Sequence, residues 1–199
     1  MPRPLTRRHL LAAALATPAL ALPVAAAARP YKVDARNAEI KFLFDLSGVT
    51  QAGTAPLRQA DLSLDPTNLT ASEADVSADL TRARTGLIFA TEALKSASVL
   101  DTANHPLARF RSTRVILGRD GRISNGAALE GRLTLRGVTR PVRFEASLFR
   151  PQGSAPDDLS RLDIRLRGAI SRTDYGAIGY PDLVADRVGL DITAKIQAV

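Results

Sequence analysis

The 199-residue chain contains no cysteine and no tryptophan, a single methionine (Met1) and two histidines, His9 and His105. These absences remove several kinds of chemistry. Zinc sites built on His and Cys, haem ligation by His and Met, and thiol catalysis all lose their usual ligands. A serine nucleophile would have to take His105 as its base, and no G-x-S-x-G elbow is present to present it. His105 itself precedes Pro106, where a turn residue is the ordinary explanation. Neither a catalytic residue, a metal nor a cofactor is therefore expected. Without disulfides, stability has to come from packing.

Long hydrophobic runs are also scarce. The one extended apolar stretch, Leu10 to Ala28, follows a basic head of Arg3, Arg7 and Arg8 and ends in the small residues Ala25 to Ala28. This is the layout of an export leader, with Ala28/Arg29 as the preferred cut. Thr6-Arg7-Arg8-His9-Leu10-Leu11 fits the twin-arginine address, and an ordinary secretory leader is the alternative. A retained membrane anchor is the third reading. It is weakened by Pro18, Pro23 and the alanine-rich composition of a segment close to the ~20 residues needed to span a bilayer. The expected organisation is thus a leader over residues 1–28 and one domain over 29–199, large enough to bury a core.

Charge of one sign is not in large excess. Three of the 27 basic residues lie in the leader, so the formal net charge of +7 falls to +4 against 20 acidic residues. That is a mildly basic surface, not a nucleic-acid footprint. Nucleic-acid binding would also need stacking aromatics interleaved with basic residues. Here the aromatics alternate onto apolar faces, and nucleic acid is rejected as a partner.

What is abundant is alternation. Ile40, Phe42, Phe44 and Leu46 alternate with Glu39, Lys41 and Asp45. Runs of the same period cover Asp61–Asp65, Glu73–Leu80, Leu129–Arg136, Val142–Leu148, Arg161–Ile170 and Arg187–Ile196. A period of two is the mark of half-buried strands. An eighth run, Ala108–Leu117, changes face partway, and a bulge between Ser112 and Arg114 would account for the switch. Asp120-Gly121 and Asn125-Gly126 are turn pairs, and Gly137 to Pro141 separates two runs. Only Gly86 to Ala103 breaks the pattern. Leu87, Leu94 and Ala97 suggest a short helix there, ended by Asn104-His105-Pro106. Eight amphipathic strands and one helix give an all-β fold, an antiparallel barrel or sandwich. Closing the sheet removes its edges, and eight strands can just hold one small ligand. Pattern alone leaves open whether the interior is a filled core or a pocket.

Four segments, in order, resemble the YceI-like, polyisoprenoid-binding family. They are Tyr31-Lys32-Val33-Asp34 leading to Ile40-Lys41-Phe42; the block from Thr85-Gly86 through Leu94-Lys95-Ser96-Ala97 to Phe110-Arg111-Ser112-Thr113-Arg114-Val115; Gly131-Arg132-Leu133-Thr134-Leu135-Arg136-Gly137-Val138-Thr139-Arg140-Pro141-Val142; and Ile170-Ser171-Arg172-Thr173-Asp174-Tyr175-Gly176. The resemblance implies an eight-stranded, lipocalin-like antiparallel barrel with a long interior channel. It also implies a periplasmic location and an isoprenoid-type lipid as ligand. An enzyme acting on such a lipid in the same channel is the alternative. The chain departs from the family where it has Asn37-Ala38 in place of a His-Ser pair, and Ala93 in place of a histidine. A third histidine, usual near Ser47, is absent too, so headgroup identity does not carry over.

On this reading the candidate ligand-binding residues are Phe42, Phe44, Phe110, Ser112, Phe144 and Asp174. The phenylalanines would wall the channel and Ser112 would offer a hydroxyl. Asp174 would pair with Arg172 at the channel mouth, or else hold the turn into Tyr175-Gly176. Arg132, Arg165 and Arg167 read as a solvated face, with contact to an anionic membrane surface as the alternative. Oligomeric state is not legible.

Overall fold

The computed structural model describes residues 28–65, 68–121, 123 and 126–199. Residues 1–27 of the expected leader, and Asn125 of the second turn pair, lie outside the described residues. The strand segments are β1 (Arg29–Val33), β2 (Glu39–Leu46), β3 (Val49–Ala55), β4 (Leu57–Leu64), β5 (Glu73–Asp79), β6 (Arg84–Thr85), β7 (Leu107–Ile116), β8 (Ala127–Leu135), β9 (Val138–Phe149), β10 (Arg161–Ser171) and β11 (Arg187–Ala198). One α-helix, α1 (Ile88–Lys95), follows β6.

These segments make eight staves. β1 and β2 form one stave, interrupted at the short turn Ala35–Asn37, where the Asp34 carboxylate accepts from the Arg36 amide. β3 and β4 form the next, broken at Pro56, which has no N–H to give to a ladder. β5 and β6 form the third, and β7 to β11 supply the rest. Each stave pairs antiparallel with its sequence neighbour, and β11 closes the ring onto β2 and then β1, with Leu190 opposite Phe42 and Ile196 opposite Val33. The fold is a closed eight-stranded antiparallel barrel, and closure pairs most of the edge that an open sheet would offer to aggregation.

Each of the eight alternating runs lies in a different stave. The face switch in β7 is a bulge between Ser112 and Arg114, which brings Val115 opposite Leu129 and restores the inward phase. Gly121 and Gly126 both adopt positive φ, as their turns require. One boundary moves. The turn expected over Gly137 to Pro141 is only Arg136-Gly137, with φ of 51° and 74°, a two-residue hairpin. Pro141 therefore lies inside β9. It is accommodated because β9 pairs with β10 only from Glu145 onward, so one edge of the strand has no ladder at residue 141.

Two apolar clusters fix the barrel's ends. Tyr31, Leu64, Leu162 and Ile196 pack together at one end, and the Tyr31 hydroxyl donates to the Leu159 carbonyl at 2.7 Å. Burial raises the Tyr31 hydroxyl above the usual phenol range. At the other end, Leu80, Ala83, Leu135 and Tyr175 form a cluster that takes Leu94 from α1 and Leu100 from the turn after it.

Candidate ligand-binding cavity

Between these clusters lies a cavity of about 410 Å³. Inward residues of every stave reach it. On β11 these include Val188, Leu190, Ile192 and Ala194, and on β2 Ile40, Phe42, Phe44 and Leu46. Six residue steps at about 3.3 Å each make the lined length roughly 20 Å along either strand. The space is long and narrow. Phe42 and Phe44 are only half-buried although they face inward, because their rings border space and not packed neighbours.

Glycines keep this space open. A β-carbon at Gly53 would run into the Phe42 ring, one at Gly131 into the Phe110 ring, and one at Gly168 would come within 2.8 Å of Phe144. In each case the missing side chain lets a phenylalanine lie over the backbone of the adjacent strand. Phe42 stacks beside Phe44 with ring centres 6.1 Å apart, and Phe110 meets Phe144 edge to face at 5.4 Å.

The four phenylalanines singled out from the sequence all line the cavity; the two polar candidates do not. Ser112 sits at the bulge, and its hydroxyl accepts from the Ala74 amide at 2.8 Å, bridging β5 and β7 where the ladder between them is ending. Asp174 is exposed in the turn Thr173–Tyr175, and its backbone carbonyl accepts from Arg140. The expected Asp174–Arg172 pair does not form. Instead Arg172, only 7 % exposed, turns inward and lines the cavity.

Arg172 organises the open end. Its guanidinium donates to four carbonyls of one loop: Ala177, Gly179 at 2.8 Å, Val184 at 2.9 Å and Ala185 at 3.2 Å. A planar fork with five donors suits this task, which lysine could not perform. Asp186 stays close by, its pKa lowered by hydrogen bonds from Ser171 and Thr173 and, to a smaller extent, by the Arg172 charge. The loop so held carries Tyr180 and Leu183, which with Phe89 of α1 are the exposed residues of the lining. The cavity opens to solvent between them.

Arg172 and Tyr180 are the titratable residues among those lining the cavity. His105 stands apart, its Nε2 4.0 Å from Asp101. No group of three or more His, Cys, Asp or Glu suited to a metal occurs among the described residues. On the outside of the barrel, Arg109 and Arg111 both hold Asp75 and lower its carboxyl pKa to about 2.

A family model described as the YceI-like domain matches residues 31–196. The chain belongs to the YceI-like family. Among its YceI-like relatives, Protein YceI of Escherichia coli O157:H7 is 32% identical over 177 residues, covering 87% of this chain and 88% of that protein. A UPF0312 protein of Vibrio campbellii is 29% identical over 143 residues, covering 70% and 73%. This YceI-like barrel also superposes on solved structures. BcnA of Burkholderia cenocepacia matches with a TM-score of 0.71 at 16% identity, over 82% of this chain and 99% of that one. A polyisoprenoid binding domain from Saccharophagus degradans matches with a TM-score of 0.57 at 14% identity, over 86% and 99%. At these identities the two structures share the fold.

Proposed function

We propose that this chain is an exported binding protein that holds an isoprenoid-type lipid, or an amphiphile of similar shape, in its barrel. The hydrocarbon tail lies along the roughly 20 Å lining of β2 and β11, and the head rests at the open end near Arg172. The observation that carries this reading is the cavity itself: about 410 Å³, narrow, walled almost wholly by aliphatic and phenylalanine side chains. Burying apolar surface there is the driving force for uptake. The ligand class named for the Saccharophagus degradans domain of the same fold agrees with it.

Holding a ligand suits this lining better than transforming one. Acid–base chemistry on a lipid needs a titratable group within reach of the reacting atom. The carboxylates and His105 lie off the lining, and Arg172 is committed to carbonyls. Export rests on the leader, with the twin-arginine address as its preferred form and the periplasm as its destination. Exchange of the lipid with a membrane is part of this proposal.

The test is organic extraction of the protein after incubation with vesicles containing quinones and polyprenols. Recovery of one lipid class intact, in a fixed ratio to protein, is expected. Recovery of a chemically altered lipid would favour the enzyme reading, and recovery of none would leave an unoccupied barrel.

A further inference from the structure

The exposed apolar surface of this barrel is concentrated around its opening. Ten large apolar side chains are exposed among the described residues, and six of them, Val49, Ile88, Phe89, Ile178, Tyr180 and Leu183, belong to the segments that border it. Ile88 is 87 % exposed, Phe89 66 % and Ile178 64 %. Side chains of this kind at these exposures are out of place on a surface that meets only water.

The segments carrying them form a continuous collar. The Gly179 amide donates to the Ser98 carbonyl at 2.8 Å, joining the 177–185 loop to the turn after α1. Arg136 donates to the carbonyls of Ala97 and Val99 and fixes that turn from the far side. The Ser47 amide donates to the Leu183 carbonyl at 2.8 Å, and Ala185 to Asp45 at 3.1 Å, joining the loop to the β2–β3 hairpin. β3 then returns to α1 through the pairing of Gly53 with Thr85. Phe89, Tyr180 and Leu183 line the cavity and are exposed at the collar at the same time. An apolar path therefore runs without a break from the interior to the outer surface.

We propose that this collar docks on a lipid bilayer surface, with the cavity opening straight into the hydrocarbon. The inference rests on the lipid-binding reading, and three observations select a bilayer as the occupant. First, the opposite end is plugged by Tyr31, Leu64, Leu162 and Ile196, so the collar is the route by which a chain enters. Second, a lipid passing through water would expose its whole tail, whereas a seated collar keeps the tail in an apolar medium throughout. Third, the collar is a ring of apolar protrusions around a hole and not a flat face, with aromatic side chains of the type that settle at the headgroup level. Its charges are mixed, Asp45, Glu92, Asp182 and Asp186 against Arg84, Lys95 and Arg187, so docking needs no anionic lipid and is insensitive to salt.

Ile88 and Ile178 stand on the collar without lining the cavity, which lets docking be separated from lipid binding. The experiment is flotation of the protein, purified from its own host, with phosphatidylcholine vesicles at low and high salt. Wild type is expected to float at both. Ile88→Asp with Ile178→Asp should reduce the bound fraction at least tenfold, while both proteins, loaded with the same lipid from detergent micelles, retain equal lipid per protein. Phe149→Asp with Val199→Asp, a matched pair of charges near the plugged end, should float like wild type. Equal flotation of all three proteins, or no flotation of wild type, overturns the proposal. So does a dimer of wild type in sedimentation that the collar pair dissolves while wild type fails to float, which would assign the collar to a second copy. Collar-dependent flotation of a protein that never carries lipid would keep the docking surface and overturn the lipid-binding reading alone.

Discussion

Phe42 lies across Gly53 on the neighbouring strand so closely that residue 53 has no room for a β-carbon. The pair links a local property of the sequence to the cavity. Glycine contributes nothing to β propensity, but its absent side chain lets an aromatic ring lie flat against the wall, leaving the interior free.

Gly53→Ala should push the Phe42 ring into the cavity and press on the Arg84 carbonyl, destabilising the barrel by about 1–3 kcal/mol and lowering its lipid capacity. Phe42→Leu in the same chain should recover most of the stability, because the β-carbon then meets a smaller and more adaptable side chain. Urea denaturation and lipid extraction on the two variants check this. A Gly53→Ala protein with wild-type stability and lipid load would show that the ring is not held by the glycine.

Arg172→Met should release the 177–185 loop, since one buried and three partly buried carbonyls lose the donors that satisfy them, at a cost of about 1–3 kcal/mol. Arg172→Lys should recover little, because an ammonium cannot reach four carbonyls in one plane. Hydrogen exchange should quicken at residues 177–185 in both variants and remain slow in β10 and β11. Unchanged exchange in the loop would mean that its other contacts suffice to hold it.

Alternation located the eight staves and placed all four phenylalanines on inward faces, because a half-buried strand repeats every two residues. It missed β1 as an independent run because the segment is only five residues long. It missed β3 because Val49-Thr50-Gln51-Ala52-Gly53-Thr54-Ala55 has small residues where inward-facing bulk would be expected; the bulk comes instead from Phe42 opposite. The two polar candidates stand off the cavity for a different reason. Side-chain direction in a bulge or a turn is set by local hydrogen bonds, which is why Ser112 serves the backbone and Asp174 faces solvent. The role of Arg172 required knowing that its loop folds back over the barrel end, a contact between elements that no local spacing encodes.

Asp75 offers a pH signature on the outer wall. Arg109 holds its carboxyl at about 2 when folded, below the ordinary carboxylate value. A group whose folded pKa is lowered stabilises above its unfolded pKa and loses that contribution as pH falls through the folded value. Asp75→Asn should therefore cost about 1 kcal/mol or less at pH 7, as expected for a partly exposed ion pair. The difference from wild type should shrink as pH is taken from about 4 toward 2. Denaturation midpoints for both proteins over that range test it, and a constant difference would contradict the assignment.

The proposed leader over residues 1–28 is open to direct test. Arg7→Lys with Arg8→Lys preserves the charge of the basic head but should block export by a twin-arginine route, leaving unprocessed chain in the cytoplasm. Protein that does emerge from wild-type cells should begin at Arg29. Undiminished export of the lysine pair would leave the ordinary secretory leader as the better reading.

The central claim is that the narrow cavity along β2 and β11 holds an isoprenoid-type lipid. Native mass spectrometry of the protein purified from its own host tests this most directly. The account predicts one dominant species heavier than the polypeptide by a single lipid, whose released mass changes between homologous forms in steps of one isoprene unit. A polypeptide of unadorned mass, unchanged after incubation with quinones and polyprenols, would contradict it.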